Sequence, residues 1–235
     1  NYNENFYKEK IQNKEYFKSL GVYIPISEKN VINILSDKLK FYEYFNKLSF
    51  LNTVPTSLNF ANYRGEKAII KERYNSGRPE ILNVNDFNRE NILSGFKDPI
   101  FQPFISGDEL SVDAFYDIDN ELKGVVMRFR DITDENEAIL TTSTYLEIIE
   151  KMIRELSKHI KFEGHINFQF ILSSEQFYLL EINPRVGGSS NLSFKLGLDS
   201  LKWIIKISTG QILDFKFFSN KKKLTKIRIK KDIYV

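Results

Sequence analysis

Glu181, Asn183 and Arg185 stand at alternate positions in the run Leu179 to Asn191, LLEINPRVGGSSN. Side chains two residues apart on an extended chain share a face, so a carboxylate, a carboxamide and a guanidinium are expected to point the same way. Hard divalent cations take oxygen ligands and Arg clamps phosphoryl oxygens, so this trio suits a magnesium-phosphate centre. Gly187 and Gly188 would let backbone approach a ligand closely. The competing reading is a strand that Pro184 and the glycines end in a turn, with Glu181 and Arg185 as a surface ion pair.

The preceding residues extend the pattern. Ile166 to Leu172 alternates as INFQFIL, and Phe177 to Ile182 follows after the polar connection Ser173-Ser174-Glu175-Gln176, which predicts a β-hairpin. Asn167 and Gln169 fall on one face of its first strand, with Phe168 and Phe170 on the other. Next to Glu181 and Asn183, the polar pair makes a convergent oxygen-rich patch.

GHINFQF, then YLLEINPRVGGSSNLS, then GLD resembles the C-terminal lobe of the ATP-grasp superfamily, in particular its carbamoyl-phosphate-synthase-like and carboxylate-amine ligase members. The resemblance implies an α+β fold of two lobes with mainly antiparallel sheets gripping ATP between them. It implies that Gln169, Glu181 and Asn183 bind magnesium, or manganese in its place, and that Arg185 contacts the transferring phosphate.

Such a site needs parts from both lobes. Ser36-Asp37-Lys38 opens an amphipathic stretch with Leu39, Tyr42, Phe45 and Leu48 on one helical face, and Ser36 is the expected N-cap. The resemblance assigns Lys38 to a phosphate. Thr53 to Thr56 reads as an extended link, and Ala68-Ile69-Ile70-Lys71 as a buried strand ending in a cation. By resemblance Lys71 pairs with the α- and β-phosphates and, with Arg185, serves catalysis. Ser76 and Gly77, within Tyr74 to Arg78, could cover the phosphates as a lid, although Arg78-Pro79-Glu80 interrupts the family's Gly and Ser run. A turn between two strands accounts for the segment equally well.

Ile100 to Ile105 followed by Ser106-Gly107-Asp108-Glu109 resembles the inter-lobe hinge, in which Gln102 opens the adenine contact and Glu109, seven residues on, takes the ribose hydroxyls. Pro103 has no N–H, so the adenine contacts fall to the Phe104 carbonyl and the Ile105 amide. Leu110 to Tyr116 alternates with Ser111 and Asp113 on one side, and Val125 to Phe129 is expected to pair with it. Arg128 and Arg130 then share a face. In carboxylate-activating relatives basic residues near here hold the acceptor carboxylate or a phosphate; outward-facing strand charges are the alternative.

Tyr145 to Ile160 carries a helical apolar stripe, Leu146, Ile149, Met152, Ile153, Leu156 and Ile160, which is packing and not chemistry. His159 suits the helix C-terminus, and His165 the start of a strand. With two His and no Cys, zinc sites and Cys nucleophiles are excluded or nearly so. The 42% hydrophobic and 28% charged content suits one compact globular unit, no apolar run nears the roughly 20 residues of a membrane span, and no signal peptide is evident. A cytoplasmic location is therefore expected, with neither membrane nor nucleic-acid partners, since the net charge is only +3. Basic residues gather in Lys216 to Lys231, where the alternation Leu224, Ile227, Ile229 predicts a strand with a solvated, lysine-rich edge.

The expected division is 1–35 as the remnant of a preceding α/β domain, 36–105 as the N-terminal lobe with lid and hinge, 106–213 as the C-terminal lobe, and 214–235 as a basic strand or tail. The resemblance runs from Val22 to Gly210, so the front domain is expected to be largely absent, and a homo-oligomer or a partner chain could supply it. Together these readings imply an ATP- and magnesium-dependent ligase joining a small-molecule carboxylate to an amine. A nucleotide-binding subunit without chemistry and a small-molecule kinase on the same fold are the alternatives.

Overall fold

The computed structural model describes residues 13–59, 66–74, 79–83, 89–134 and 137–229. Helical residues 13–19 (α1) precede α2 (Lys29–Ser36), α3 (Lys38–Phe45) and a short strand β1 (Asn52–Thr53). A three-stranded antiparallel sheet in the order β3-β2-β4 combines β2 (Lys67–Glu72), β3 (Glu80–Asn83) and β4 (Pro99–Pro103), with α4 (Arg89–Ser94) between the last two. Then come β5 (Asp108–Tyr116), β6 (Leu122–Asp134), β7 (Glu137–Thr144), α5 (Glu147–His159), β8 (Gly164–Ser173), β9 (Gln176–Asn183), α6 (Asn191–Lys195), α7 (Ser200–Ser208), β10 (Phe218–Ser219) and β11 (Thr225–Ile227). The main sheet runs β1-β9-β8-β5-β6-β7-β11, with β10 pairing β6, and is antiparallel except where β1 and β10 join. The expected α+β architecture of mainly antiparallel sheets is the one observed.

Period-two alternation builds this sheet. Leu110, Val112, Ala114 and Tyr116 of β5 enter the main core with Ile166, Phe168 and Phe170 of β8, while Ser111, Asp113, Asn167 and Gln169 stand on the opposite face. The β8–β9 hairpin turns through Ser174 and Glu175, both at positive φ, the twist that suits a two-residue hairpin loop. On the apolar face α5 buries Ile149, Ile153 and Leu156, with acidic residues in its first turn and Lys158 and His159 in its last, which complements the helix dipole. Among the described residues no helix is long and apolar enough to cross a membrane.

Two details around α3 differ from expectation. Ser36 closes α2, and Asp37 is the N-cap of α3, accepting the amides of Leu39 and Lys40. The chain breaks helix for one residue, so the cap moves to the side chain at the break. The buried face of α3 is Phe41 and Phe45, with ring centroids 4.7 Å apart; two full aromatic rings outweigh Leu39 and the half-polar Tyr42. These rings and Leu51 belong to the main-sheet core, so residues 38–53 pack with the larger sheet. The small sheet has its own core of Ala68, Ile70, Leu82 and Phe101, against Ile92, Leu93 and Phe96.

Candidate active site

Strand register assembles the polar face. Ser111 lies opposite Gln169, and Gln169 opposite Glu181; Asp113 lies opposite Asn167, and Asn167 opposite Asn183. Asn183 Nδ2 donates to Glu181 Oε1 at 2.7 Å. With that nitrogen committed to the carboxylate, Oδ1 is the Asn183 atom left to act as an acceptor. From β6, Arg130 Nη1 donates to Gln169 Oε1 at 3.1 Å and pairs with Glu109 at 2.8 Å. β9 ends at Asn183, so Arg185 lies in the bend beyond the strand and not on it. Its amide donates to the Asn183 carbonyl and its guanidinium to the Val186 carbonyl. Pro184 thus ends the strand as the turn reading expected, while Glu181 and Asn183 keep the shared face.

The small sheet contributes Lys71 of β2, which is 9% exposed. Burial lowers its ammonium to about 8, against the opposing pull of Glu181 and with a further lowering from Lys38. Glu181 and Lys38 are therefore each within electrostatic reach of Lys71. Lys38 Nζ donates to the Glu72 carbonyl at 2.7 Å, and its amide bonds the Arg73 carbonyl. Asp37 receives Arg73 Nε at 2.8 Å and Nη2 at 2.7 Å, and the Tyr74 hydroxyl at 3.2 Å. Burial pushes the Asp37 carboxyl up, but the Arg73 bonds and helix amides outweigh it and hold the group below the usual carboxylate range. One residue thus caps α3 and ties down the end of β2, placing Lys38 beside Lys71. Sequence reading passed over Asp37 because Ser36 stood next to it as a plausible cap.

At the expected hinge, Gln102 is buried and its Nε2 donates to Thr56 Oγ1 at 2.8 Å, so only its backbone can face a ligand. The Phe104 amide donates to the Lys67 carbonyl at 3.2 Å, and Lys67 Nζ lies over the Phe104 ring. Glu109 opens β5 with its carboxylate on Arg130, alongside the Gln169 rung. Ser76 and Gly77 lie outside the described residues.

Arg128 and Arg130, expected as a pair, separate. Arg128 is 2% exposed and bonds the wholly buried Asp113, which also receives Ser193 Oγ at 2.7 Å and Asn167 Nδ2 at 2.6 Å. Burial alone would push the Asp113 carboxyl up, but Arg128 and His165 hold it far below the carboxylate range. Arg128 is therefore consumed in anchoring α6 to the sheet. His165, expected at a strand start, is buried there with Nδ1 2.8 Å from Ser200 Oγ and Nε2 3.4 Å from Asp113 Oδ1. It joins the same anchor because β8 begins at Gly164 and carries His165 inward.

The donors fit a hard cation. Among the described residues no group of three or more His, Cys, Asp or Glu could hold a metal, and Gln169, Glu181 and Asn183 offer one carboxylate and two carboxamides. Such a set suits magnesium, which is bound through one or two carboxylates, keeps several waters and takes phosphate oxygens from its substrate.

A family model described as ATP-grasp in the biosynthetic pathway with Ter operon matches residues 95–231. The chain belongs to the ATP-grasp family. It is 23% identical over 216 residues to the carbamoyl phosphate synthase large chain of Clostridium acetobutylicum, a match covering 82% of this chain and 20% of that one. The N5-carboxyaminoimidazole synthetase of Staphylococcus aureus complexed with ADP superposes with a TM-score of 0.73 at 16% identity, over 93% of this chain and 62% of that one. The biotin carboxylase domain of the Hydrogenobacter thermophilus 2-oxoglutarate carboxylase, in complex with MgADP and bicarbonate, gives 0.70 at 18% identity, over 89% and 53%. At such identities these two structures establish the fold. The ATP-grasp match begins just before the hinge and ends beyond β11, so it takes in the whole polar face and the edge strand.

Proposed function

We propose that this ATP-grasp chain binds ATP between its two sheets and, as an ATP- and magnesium-dependent ligase, activates a carboxylate as an acyl phosphate for attack by an amine or similar nucleophile. The observation that carries this reading is Lys71 of the small sheet, a buried ammonium within electrostatic reach of Glu181 of the main sheet. A buried cation from one lobe within electrostatic reach of an oxygen-rich rung on the other suits a polyphosphate lying between them. Lys38 and Lys71 would hold phosphates, Phe104 and Ile105 the adenine through their backbone, and Glu109 the ribose. Gln169, Glu181 and Asn183 would hold magnesium, which when bound supplies charge neutralisation at the phosphate oxygens. The acceptor carboxylate attacks the γ-phosphorus, ADP leaves, and the nucleophile then displaces phosphate. Arg185 meets the charge on the transferring group, so positioning and electrostatics do the work and no protein nucleophile is required.

The test is ADP release by the chain with panels of carboxylates and amines, beside Glu181→Ala. Turnover should fall on the order of a hundredfold in the variant. Equal turnover by both proteins would overturn the assignment. The alternative is a nucleotide-binding subunit without independent catalysis. MgADP binding without turnover on any pair would select it.

A further inference from the structure

On the sheet face away from the Gln169–Glu181 rung, β6, β7 and β11 border an open concavity of about 580 Å³, lined by Phe129, Asp131, Thr142, Tyr145, Lys223 and Thr225 with their neighbours. That volume is in the range of small-molecule sites. Its floor is a single rung, Phe129 opposite Thr142 and Thr142 opposite Thr225, and Phe129 packs against the main core. The alternate residues of β11 and its extension turn the other way. Lys226 Nζ is 3.3 Å from Ser189 Oγ, and Arg228 Nη2 donates to the Gly188 carbonyl at 2.7 Å, both in the loop after Arg185. The concavity and the magnesium-phosphate candidate thus lie on opposite faces of one sheet.

Two features aim opposite charges into this space. The β6–β7 register passes from Arg130 to Ile132 and skips Asp131. A bulge leaves its extra residue unpaired and re-aims the side chain, and Asp131 lines the concavity. At the other end, residues 220–224 are strapped over the end of β7. Buried Ser143 Oγ donates to the Lys222 carbonyl and accepts the Leu224 amide, each at 2.8 Å, and Asn220 Nδ2 bonds the Lys222 carbonyl at 2.9 Å. The backbone is therefore pinned on both sides of Lys223. Lys221 lies over the Tyr145 ring, 4.9 Å from its centroid, and serves as wall. β6 and β11 both run antiparallel to β7 and so run the same way. Asp131 stands two residues beyond Phe129 and Lys223 two before Thr225, so their backbones are about 13 Å apart along the strands, on opposite sides of the rung. The Thr142 and Thr225 hydroxyls share one hydrogen bond at 3.1 Å, which leaves one of their two protons for a ligand lying between the charges.

We propose that this concavity is a second ligand site, for an elongated zwitterion whose ammonium meets Asp131, whose carboxylate meets Lys223 and whose apolar chain lies on Phe129. A compact α-amino acid carries its charges too close together to reach both ends, so ω-amino acids are the class that fits. The site stands apart from the ligase reading, because its ligand touches neither Lys38 and Lys71 nor the metal rung.

The experiment titrates 6-aminohexanoate into the full chain by calorimetry, with hexanoate and hexylamine as probes that keep the chain and lose one charge. The zwitterion should bind with a Kd of about 1 mM or below, as suits so few atoms, and each single-charge probe about tenfold more weakly. Asp131→Asn and Lys223→Met should each weaken 6-aminohexanoate about tenfold, and Lys223→Arg should restore most of the second loss. The pattern of losses identifies the contacts: Asp131→Asn should leave hexanoate affinity as it was, and Lys223→Met should leave hexylamine affinity as it was. Both residues are exposed, so melting temperatures should not move. MgADP at saturation should leave 6-aminohexanoate affinity within about twofold, as expected of separate faces. No saturable binding of 6-aminohexanoate, equal binding of all three probes, wild-type affinity in both charge variants, or exclusion by MgADP would each overturn the site.

Discussion

A lysine that loses its proton near pH 8 is poised to report on whatever enters beside it. Lys71 owes that value to burial, with a smaller lowering from Lys38, against the raising pull of the Glu181 carboxylate. Because its folded value lies below the unfolded 10.5, the unfolded chain binds the proton more tightly. This residue's contribution to stability therefore rises as pH climbs from about 8 to about 10.5 and is flat below that window. Phosphates would favour the ammonium, so MgADP binding should draw in about half a proton near pH 8 and less at pH 7. Calorimetry in buffers of different ionisation heats measures this uptake. Lys71→Met should abolish it and weaken MgADP, and an uptake unchanged in that variant would show that Lys71 does not meet the phosphates.

Whole elements depend on two features whose substitutions have large expected effects. At Gly107 an added Cβ would stand 2.1 Å from the Leu172 carbonyl oxygen, so Gly107→Ala forces β5 and β8 apart at the hinge. A cost of about 1–3 kcal/mol is expected, lowering the melting temperature by several degrees. Asp113 and Arg128 anchor α6 to the sheet, and Arg128→Met leaves a buried carboxylate short of its cation. That should cost about 3–5 kcal/mol, with the double variant Asp113→Leu, Arg128→Met melting higher than the single. The same elements show how far sequence could reach. Period-two alternation made the faces of β5, β8 and β9 legible, since a strand's faces follow from its own residues. It could not separate Arg128 from Arg130, because their difference lies in Ser193 and α6, which arrive from 65 residues away. It read β11 as a solvated edge for the same reason: only the folded loop after Arg185 gives Lys226 and Arg228 something to face. Asp37 was hidden by the one-residue break between two helices.

At the scale of the whole molecule, two sheets have separate cores, and Lys71 of one lies within electrostatic reach of Glu181 of the other. The attraction of Glu181 only partly offsets the burial of the ammonium, and the phosphates of a bridging nucleotide would add to that offset. A ligand that contacts both sheets stabilises the folded chain by mass action, about 2.7 kcal/mol at a hundred times its dissociation constant. For a chain of 235 residues that corresponds to a rise in melting temperature of roughly 5–10 °C. In the proposed site the metal and the nucleotide are linked, because Gln169, Glu181 and Asn183 would reach the phosphates only through a cation. Chelation with EDTA should therefore remove most of the rise caused by MgADP, while leaving the melting temperature of the ligand-free chain where it was. Glu181→Ala should mimic chelation, with ADP giving the same small shift whether or not magnesium is added. A full shift from ADP in EDTA would place the nucleotide on the lysines and hinge alone, and would remove Glu181 and Asn183 from the site.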